Sequence, residues 1–337
     1  MKKLISLLVA VVMIVAMFSG LAVADDLLAE VTTGSETVSV STVEDLVAAI
    51  SPDGTSTVKL MKDFVRTMPA GATSAWFKID KACTLDLNGY TWDFSGVSAG
   101  NAVTFRDTTG AHVVVKNGTI IGPAMGITIQ AGSFEIQDCT IISTGSYAIG
   151  LYDLDPAKSD KNLINNCTIV ANSSAVNFQA KSPNAGTYEA SVTITNSKLV
   201  NFESTSMAAL HASGDAGKYI LGKGVEIYTV ENAYSDKVTL EGESLKLETG
   251  LQSIEVKGTT YSNLAKYATP AAEVAPVDPA PVDPAPVDPA PVDPTPDVPS
   301  TDVPDEDVPK TGVSIAVLGL MATVSMAGAA FVARKKD

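Results

Sequence analysis

The sequence predicts an all-β chain built around a right-handed parallel β-helix. Three observations carry that prediction. A unit recurs every 21 to 30 residues, its apolar residues are spaced for short strands, and each unit holds an Asn-like residue followed by a small one. Self-similarity at such a period, with several short strands per unit, marks a solenoid.

The turn pairs are Asn88-Gly89, Asn117-Gly118, Asp138-Cys139, Asn166-Cys167, Asn196-Ser197 and, more weakly, Lys223-Gly224. The steps between their small residues are 29, 21, 28, 30 and 27. Alternating strands such as "HVVVKNG", "SFEIQDC" and "ASVTITNS" precede them. Apolar pairs follow: Ile120-Ile121, Ile141-Ile142, Ile169-Val170 and Leu199-Val200. A third series lies between, with "NAVTF" at 101, "MGITI" at 125, "YAIGL" at 147 and "SAVNF" at 174. A spacing of two with Val, Ile and Thr dominant excludes helical repeats. Three parallel sheets over residues 56 to about 245 are expected.

Over that range the pattern resembles the pectin-lyase-like superfamily. The resemblance implies a ladder of stacked Asn side chains at the turn between the second and third sheets. Asn88, Asn117, Asn166 and Asn196 fit it, with Asp138 as a substitute. Asn suits such a turn because it tolerates the left-handed conformation. The first coil, "LDLNG", reads as one residue shorter between strand and Asn88. Gly118, Cys139, Cys167 and Ser197 share one small, inward slot just after the turn. Coils stack about 4.8 Å apart, so Cys139 and Cys167 are expected to touch. Parallel stacking is a poor disulfide geometry, and buried free thiols pack as small hydrophobes.

"STVEDLVAAI" predicts a cap helix over about 42–50. A capping box pairs Ser41 with Glu44, and Val43, Leu46, Val47 and Ile50 form the apolar face. This resembles the cap helix of the same superfamily. "STVKLMKDF", from Ser56, is the expected first strand. "SLKLETGLQSIEVKG" is expected to form a last irregular coil or a small β cap.

The ends give the address. Residues 1–24 have a basic start, an apolar run and the small-residue cleavage site Ala22-Val23-Ala24, which is the pattern of a secretory signal peptide. The β-helix domain is then 25–267. Residues 268–307 are a Pro/Asp-rich linker in which Pro-Val-Asp-Pro-Ala recurs, an extended spacer of about 3.1 Å per residue. Residues 308–337 hold Val308, Pro309, Lys310, Thr311 and Gly312, an apolar run at 313–333 long enough to span a bilayer, and a basic tail. That arrangement resembles the cell-wall sorting signal of Gram-positive surface proteins, whose motif begins with Leu where this chain has Val308. The resemblance implies a sortase that cuts between Thr311 and Gly312 and joins Thr311 to peptidoglycan. Before processing, or without it, the apolar segment holds the chain in the membrane.

The formal net charge of −15 disfavours nucleic acid and anionic lipid as partners. Upstream of the basic tail there are two arginines, Arg66 and Arg106, and two histidines, His112 and His211. None lies in the catalytic motifs that the superfamily's lyases and hydrolases use. Asp153, Asp155 and Asp160 in "YDLDPAKSD" are the candidate ligand or Ca²⁺ loop, since alternating Asp residues supply hard oxygens, although Asp-Pro and Ser-Asp are also turn chemistry. Tyr147 and Tyr152 stand near as stacking rings for a sugar. No other cofactor, metal or catalytic residue is expected. The reading is a non-catalytic adhesion module displayed on a stalk, binding glycan or a host-surface ligand. The alternative is a wall-anchored polysaccharide lyase or glycoside hydrolase.

Overall fold

The computed structural model describes residues 27–68, 77–97, 99–106, 110–130, 132–179, 190–203, 207–213 and 217–270. The signal segment with Ala22 and Ala24, the repeats of the linker, the motif Val308 to Gly312 and the apolar run 313–333 lie outside them. Among the described residues no helix is long and apolar enough to cross a membrane.

The repeats stack as coils with three parallel faces. The first face is Lys78–Ile79, Asn101–Arg106, Met125–Gln130, Ile149–Tyr152, Val176–Phe178 and Leu210–Ala212. The second runs from Thr57–Leu60 through Thr84–Asp86 and the first halves of His112–Gly122 and Ser133–Ser143. It continues with Leu163–Asn165, Ser191–Thr195, Gly217–Leu221 and Val238–Gly242. The third begins with Phe64–Val65 and Thr91–Asp93 and takes the second halves of the two long strands. Thr168–Ala171, Lys198–Asn201 and Glu226–Thr229 complete it. Inward residues meet their equivalents: Val103, Ile127, Ile149, Val176 and Leu210 form one buried row.

Between the second and third faces the chain turns through one left-handed residue. Asn88, Asn117, Asp138, Asn166 and Asn196 have φ of 51, 61, 52, 52 and 46°. Their side chains do not stack as one uniform ladder. Asn166 Nδ2 donates to Asp138 Oδ1 at 2.6 Å, its equivalent one coil back. Asn117 reaches Asp86, Asn196 reaches Asn165, and Asn88 reaches the Leu60 carbonyl. Each amide thus ties its turn to the coil before it, through whichever acceptor is there. In the Lys223-Gly224 coil the left-handed residue is Gly224 (φ 72°), so Val225, not Gly224, fills the inward slot.

The first coil is one residue longer before its Asn, not shorter. Leu85 pairs with Val115, so Asn88 lies three residues on where Asn117 lies two on. The wider turn pushes Leu87 and Tyr90 toward the next coil. A Cβ at position 118 would sit 2.4 Å from Leu87 Cβ and 2.6 Å from the Tyr90 carbonyl, which is why that slot holds glycine.

The N-terminal edge is covered by two devices. One is the expected helix, observed at Val43–Ala49. Its cap is Thr42, not Ser41. Thr42 is extended (φ −121°, ψ 160°), accepts from the Asp45 N–H at 3.1 Å and donates to Asp45 Oδ2 at 2.7 Å, so the box is shifted by one residue. The other is a hairpin absent from the sequence expectation, Ala29–Thr33 with Glu36–Val40, whose first strand pairs antiparallel with Thr57–Leu60. The first strand of the coils is thus the third among the described residues.

At the other end Lys246–Leu247, Gln252–Val256 and Thr259–Ala268 form the small β cap. Thr259–Ala268 pairs antiparallel with Glu226–Thr229 and runs past the expected boundary at 267. The cap also covers the outside of the third face. Ile142, Val170, Val200 and Tyr228, a row of outward residues, lie buried beneath Ile254, Val256 and Leu264. Lys266 fastens it, 2.8 Å from Glu226 and 3.2 Å from Glu248, with its ammonium over the Tyr228 ring. Thr269 and Pro270 then close the last turn. Val225 N–H donates to Thr269 Oγ1 at 2.9 Å, as Cys167 N–H donates to Ser197 Oγ, and Gly224 N–H donates to the Pro270 carbonyl, as Asn196 N–H does to that of Lys223.

The Lys266 cluster sets a pH window. Burial raises the Glu226 carboxyl, but its hydrogen bond to Lys266 and the nearby lysines outweigh this, and its pKa falls below the ordinary 4.5. Lys266 is pushed above 10.5, chiefly by its hydrogen bond to Glu226. The depressed acid contributes stability above about pH 4.5, lost as pH falls through its folded value; the raised base contributes below 10.5, lost as pH rises. Lys266→Met should cost about 1 kcal/mol at neutral pH, because Glu226 and Glu248 lose a half-buried partner. Limited proteolysis should find residues 246–268 cut first in that variant, and in the unaltered protein near pH 3.

Candidate functional site

The acidic loop follows Ile149–Tyr152. Asp153 takes a left-handed φ of 49° and accepts from Gln130 Nε2 at 2.8 Å. Asp155 caps the 3-10 helix Pro156–Lys161, accepting from the Ala157 N–H at 3.0 Å, and its other oxygen lies 3.7 Å from Lys158 Nζ. Asp160 lines a separate hollow with His112, Glu135 and Lys161. The three carboxylates therefore have three different settings. Among the described residues no three His, Cys, Asp or Glu side chains are placed to share a metal ion. Tyr152 is half-buried, and burial, followed by the charge of Tyr147, raises its pKa.

The outer side of the first face carries a second arrangement. Thr104, Thr128, Gly150, Asn177 and His211 stand in register between the two inward apolar rows. Asn101 Nδ2 donates to Thr128 Oγ1 at 2.9 Å and to Thr104 Oγ1 at 3.3 Å. Further along, His211 Nδ1 lies 3.0 Å from Asn177 Oδ1, and Ser213 contacts both residues. Hydroxyls and amides thus run along one strand ladder, knit to each other. Asn101 and Asn177 were not singled out from sequence. Their signal is faint: a lone amide in an otherwise apolar five-residue stretch.

Each described histidine lies beside a serine hydroxyl, His112 beside the fully buried Ser133 and His211 beside Ser213. His112 Nδ1 is 2.9 Å from Ser133 Oγ, and Nε2 is 4.0 Å from Glu135. Burial holds its pKa below 6.5 despite Glu135. His211 is likewise lowered by burial and by Lys237. In both, burial favours the neutral ring.

Cys139 and Cys167 occupy adjacent coils in the slot, buried and free, and Cys139 pairs with Gly118 as expected. They do more than fill space. Cys139 Sγ is 3.0 Å from the Gln137 carbonyl, Cys167 Sγ 3.1 Å from that of Asn165, and Ser197 Oγ 2.7 Å from that of Thr195. In these three coils the slot residue donates to the carbonyl two residues back, just before the left-handed residue. There the slot holds a small side chain with a donor. Burial pushes the Cys167 and Cys83 thiols up to about 12, and Cys139 further in the same direction.

Residues 70–240 match the family model described as right handed beta helix region. No curated protein matches the chain, and no solved structure does.

Two outcomes follow for the turn. Cys167→Ser should leave stability within about 0.5 kcal/mol, whereas Cys167→Val, which fills the slot but cannot donate, should cost about 1–3 kcal/mol in urea unfolding. Asn166→Ala should cost about 1–2 kcal/mol and Asn166→Gly less, since only glycine takes positive φ without penalty.

Proposed function

The chain belongs to the right-handed β-helix family, and on that footing we propose that it is a cell-surface binding module, not a catalyst. The observation that carries this reading is the outer side of the first face. Its hydroxyl and amide row is rigid and mostly covered, with Thr104 and Thr128 each 6 % exposed and Asn177 fully buried, and it meets solvent at the partly exposed His211, whose neutral form burial favours. Such groups recognise sugars or a protein surface but cannot stabilise a charged intermediate and move a proton together. Asp153 and Asp155, which follow Ile149–Tyr152 of that face, are each held by a partner of their own.

Residues 1–24 support secretion, and Val308 to Gly312 with the following apolar run and basic tail support attachment to a Gram-positive wall through Thr311. The Pro/Asp repeats then act as a stalk, and peptidoglycan and a sortase are partners during processing. The acidic charge favours neutral glycans or a host-surface protein as ligand over anionic polymers. Ca²⁺ at the Asp153–Asp160 loop remains a candidate ligand within this reading, since hard oxygens suit it.

Two measurements test the reading. Incubated with neutral and uronic polysaccharides, with and without Ca²⁺, the protein should be retained on a neutral polymer and release neither reducing ends nor unsaturated products. Product release abolished by Asp153→Ala with Asp155→Ala would make that loop an active site. Mass spectrometry of wall digests should find Thr311 as the last residue, amide-linked to a wall peptide. Recovery of the intact tail from membranes would identify an uncleaved anchor instead.

A further inference from the structure

The first face does not end at Leu210–Ala212. Tyr234 makes a further parallel bridge to Leu210. Leu210 N–H donates to the Ala233 carbonyl at 2.9 Å, and Ser235 N–H donates to the Leu210 carbonyl at 3.1 Å. Residues 231–236 therefore form one more rung, which places Ser235 after His211 in the polar row. At this rung the row opens into a cavity of about 290 Å³ lined by His211, Glu231, Asn232, Tyr234, Ser235 and Asp236.

The lining has the composition of a sugar site. Tyr234 is 46 % exposed, so an aromatic ring stands free to meet the C–H face of a pyranose. Glu231 and Asp236 accept hydrogen bonds and cannot donate them when ionised, which matches the hydroxyl donors of a neutral sugar. His211 Nδ1 faces the Asn177 carboxamide oxygen, so it carries the ring proton and Nε2 is left as an acceptor. Ser235 also lines the cavity, although its Oγ itself is shielded and has no hydrogen-bond partner. The volume lies just under the roughly 300 Å³ at which drug-sized sites begin, enough for one ring.

We propose that this cavity binds a single neutral hexopyranose, presented as a terminal or branch unit of a larger glycan. The proposal rests on the binding-module reading above and gives it a place and a ligand class. The two carboxylates that hold a neutral sugar's hydroxyls repel uronic and sialic acids.

The test is saturation-transfer NMR on the full chain in mild detergent. The probes are the methyl glycosides of glucose, galactose and mannose, with methyl galactopyranosiduronate as the charged counterpart. At least one neutral glycoside should bind and the uronate should not. Tyr234→Ala and Asp236→Asn should each weaken binding roughly tenfold. Glu36→Gln, on the N-terminal hairpin, should leave it unchanged. Melting temperatures confirm folding, and Glu231→Gln is the reserve variant at an exposed position. Neutral binding that survives both cavity variants overturns the site but leaves the glycan-binding reading standing. Binding of the uronate as tight as the neutral glycosides overturns the ligand class. If no probe binds while the protein is retained on a neutral polysaccharide, this cavity is not where it binds; if nothing is bound in either assay, the glycan reading falls with it.

Discussion

Everything here depends on one constraint: backbone hydrogen bonds between coils place each residue directly on its equivalent in the next coil. A strand in a twisted sandwich can choose its neighbours. A strand in this stack cannot. Val103 must accept Ile127, and Ile127 must accept Ile149. One misfit therefore meets two coils, and the chain answers locally, as when the bulge at Leu87 and Tyr90 is matched by Gly118. The same rule explains why thiols and a hydroxyl share one slot. Each has room beneath one coil and above another, and each donates to the carbonyl just before the left-handed residue.

Much of this was legible in the sequence. Periodicity located the coils, and the five Asn-type residues do take positive φ, because few other side chains tolerate that backbone. The terminal caps were harder to read. The hairpin Ala29–Glu36–Val40 has no equivalent in any repeat, so periodicity is blind to it. Ser41 and Thr42 are both good caps, and only the extended backbone at Thr42 decides between them. The apolar pairs such as Ile169-Val170 held more information than their use as a repeat marker drew from them. Successive strand residues point to opposite sides, so one of each pair had to face outward and needed a cover. Val170 is fully buried under the terminal hairpin, as that logic requires.

The candidate site was legible only in part. Asp153, Asp155 and Asp160 are adjacent in sequence, and adjacency suggested convergence. In the structure a left-handed residue and a 3-10 turn send them to different partners. The polar row on the first face has the opposite character. Thr104, Thr128, Asn177 and His211 are 24, 49 and 34 residues apart, and only the register between coils brings them into line. Isolated polar residues inside apolar stretches look like weak strands until stacking shows that they share one side.

Thr269 and Pro270 occupy the positions that the turn of another coil would occupy, and the chain leaves the domain from there. Tension arriving along the residues that follow is therefore delivered to a single point. It is met first by the Thr269 hydroxyl and the Pro270 carbonyl, then by the four residue pairs that join Thr259–Ala268 to Glu226–Thr229. The terminal hairpin works as a mechanical fuse. The stacked coils bear load only after it has peeled away, and its peeling would uncover the oily stripe of Ile142, Val170 and Val200 along the third face.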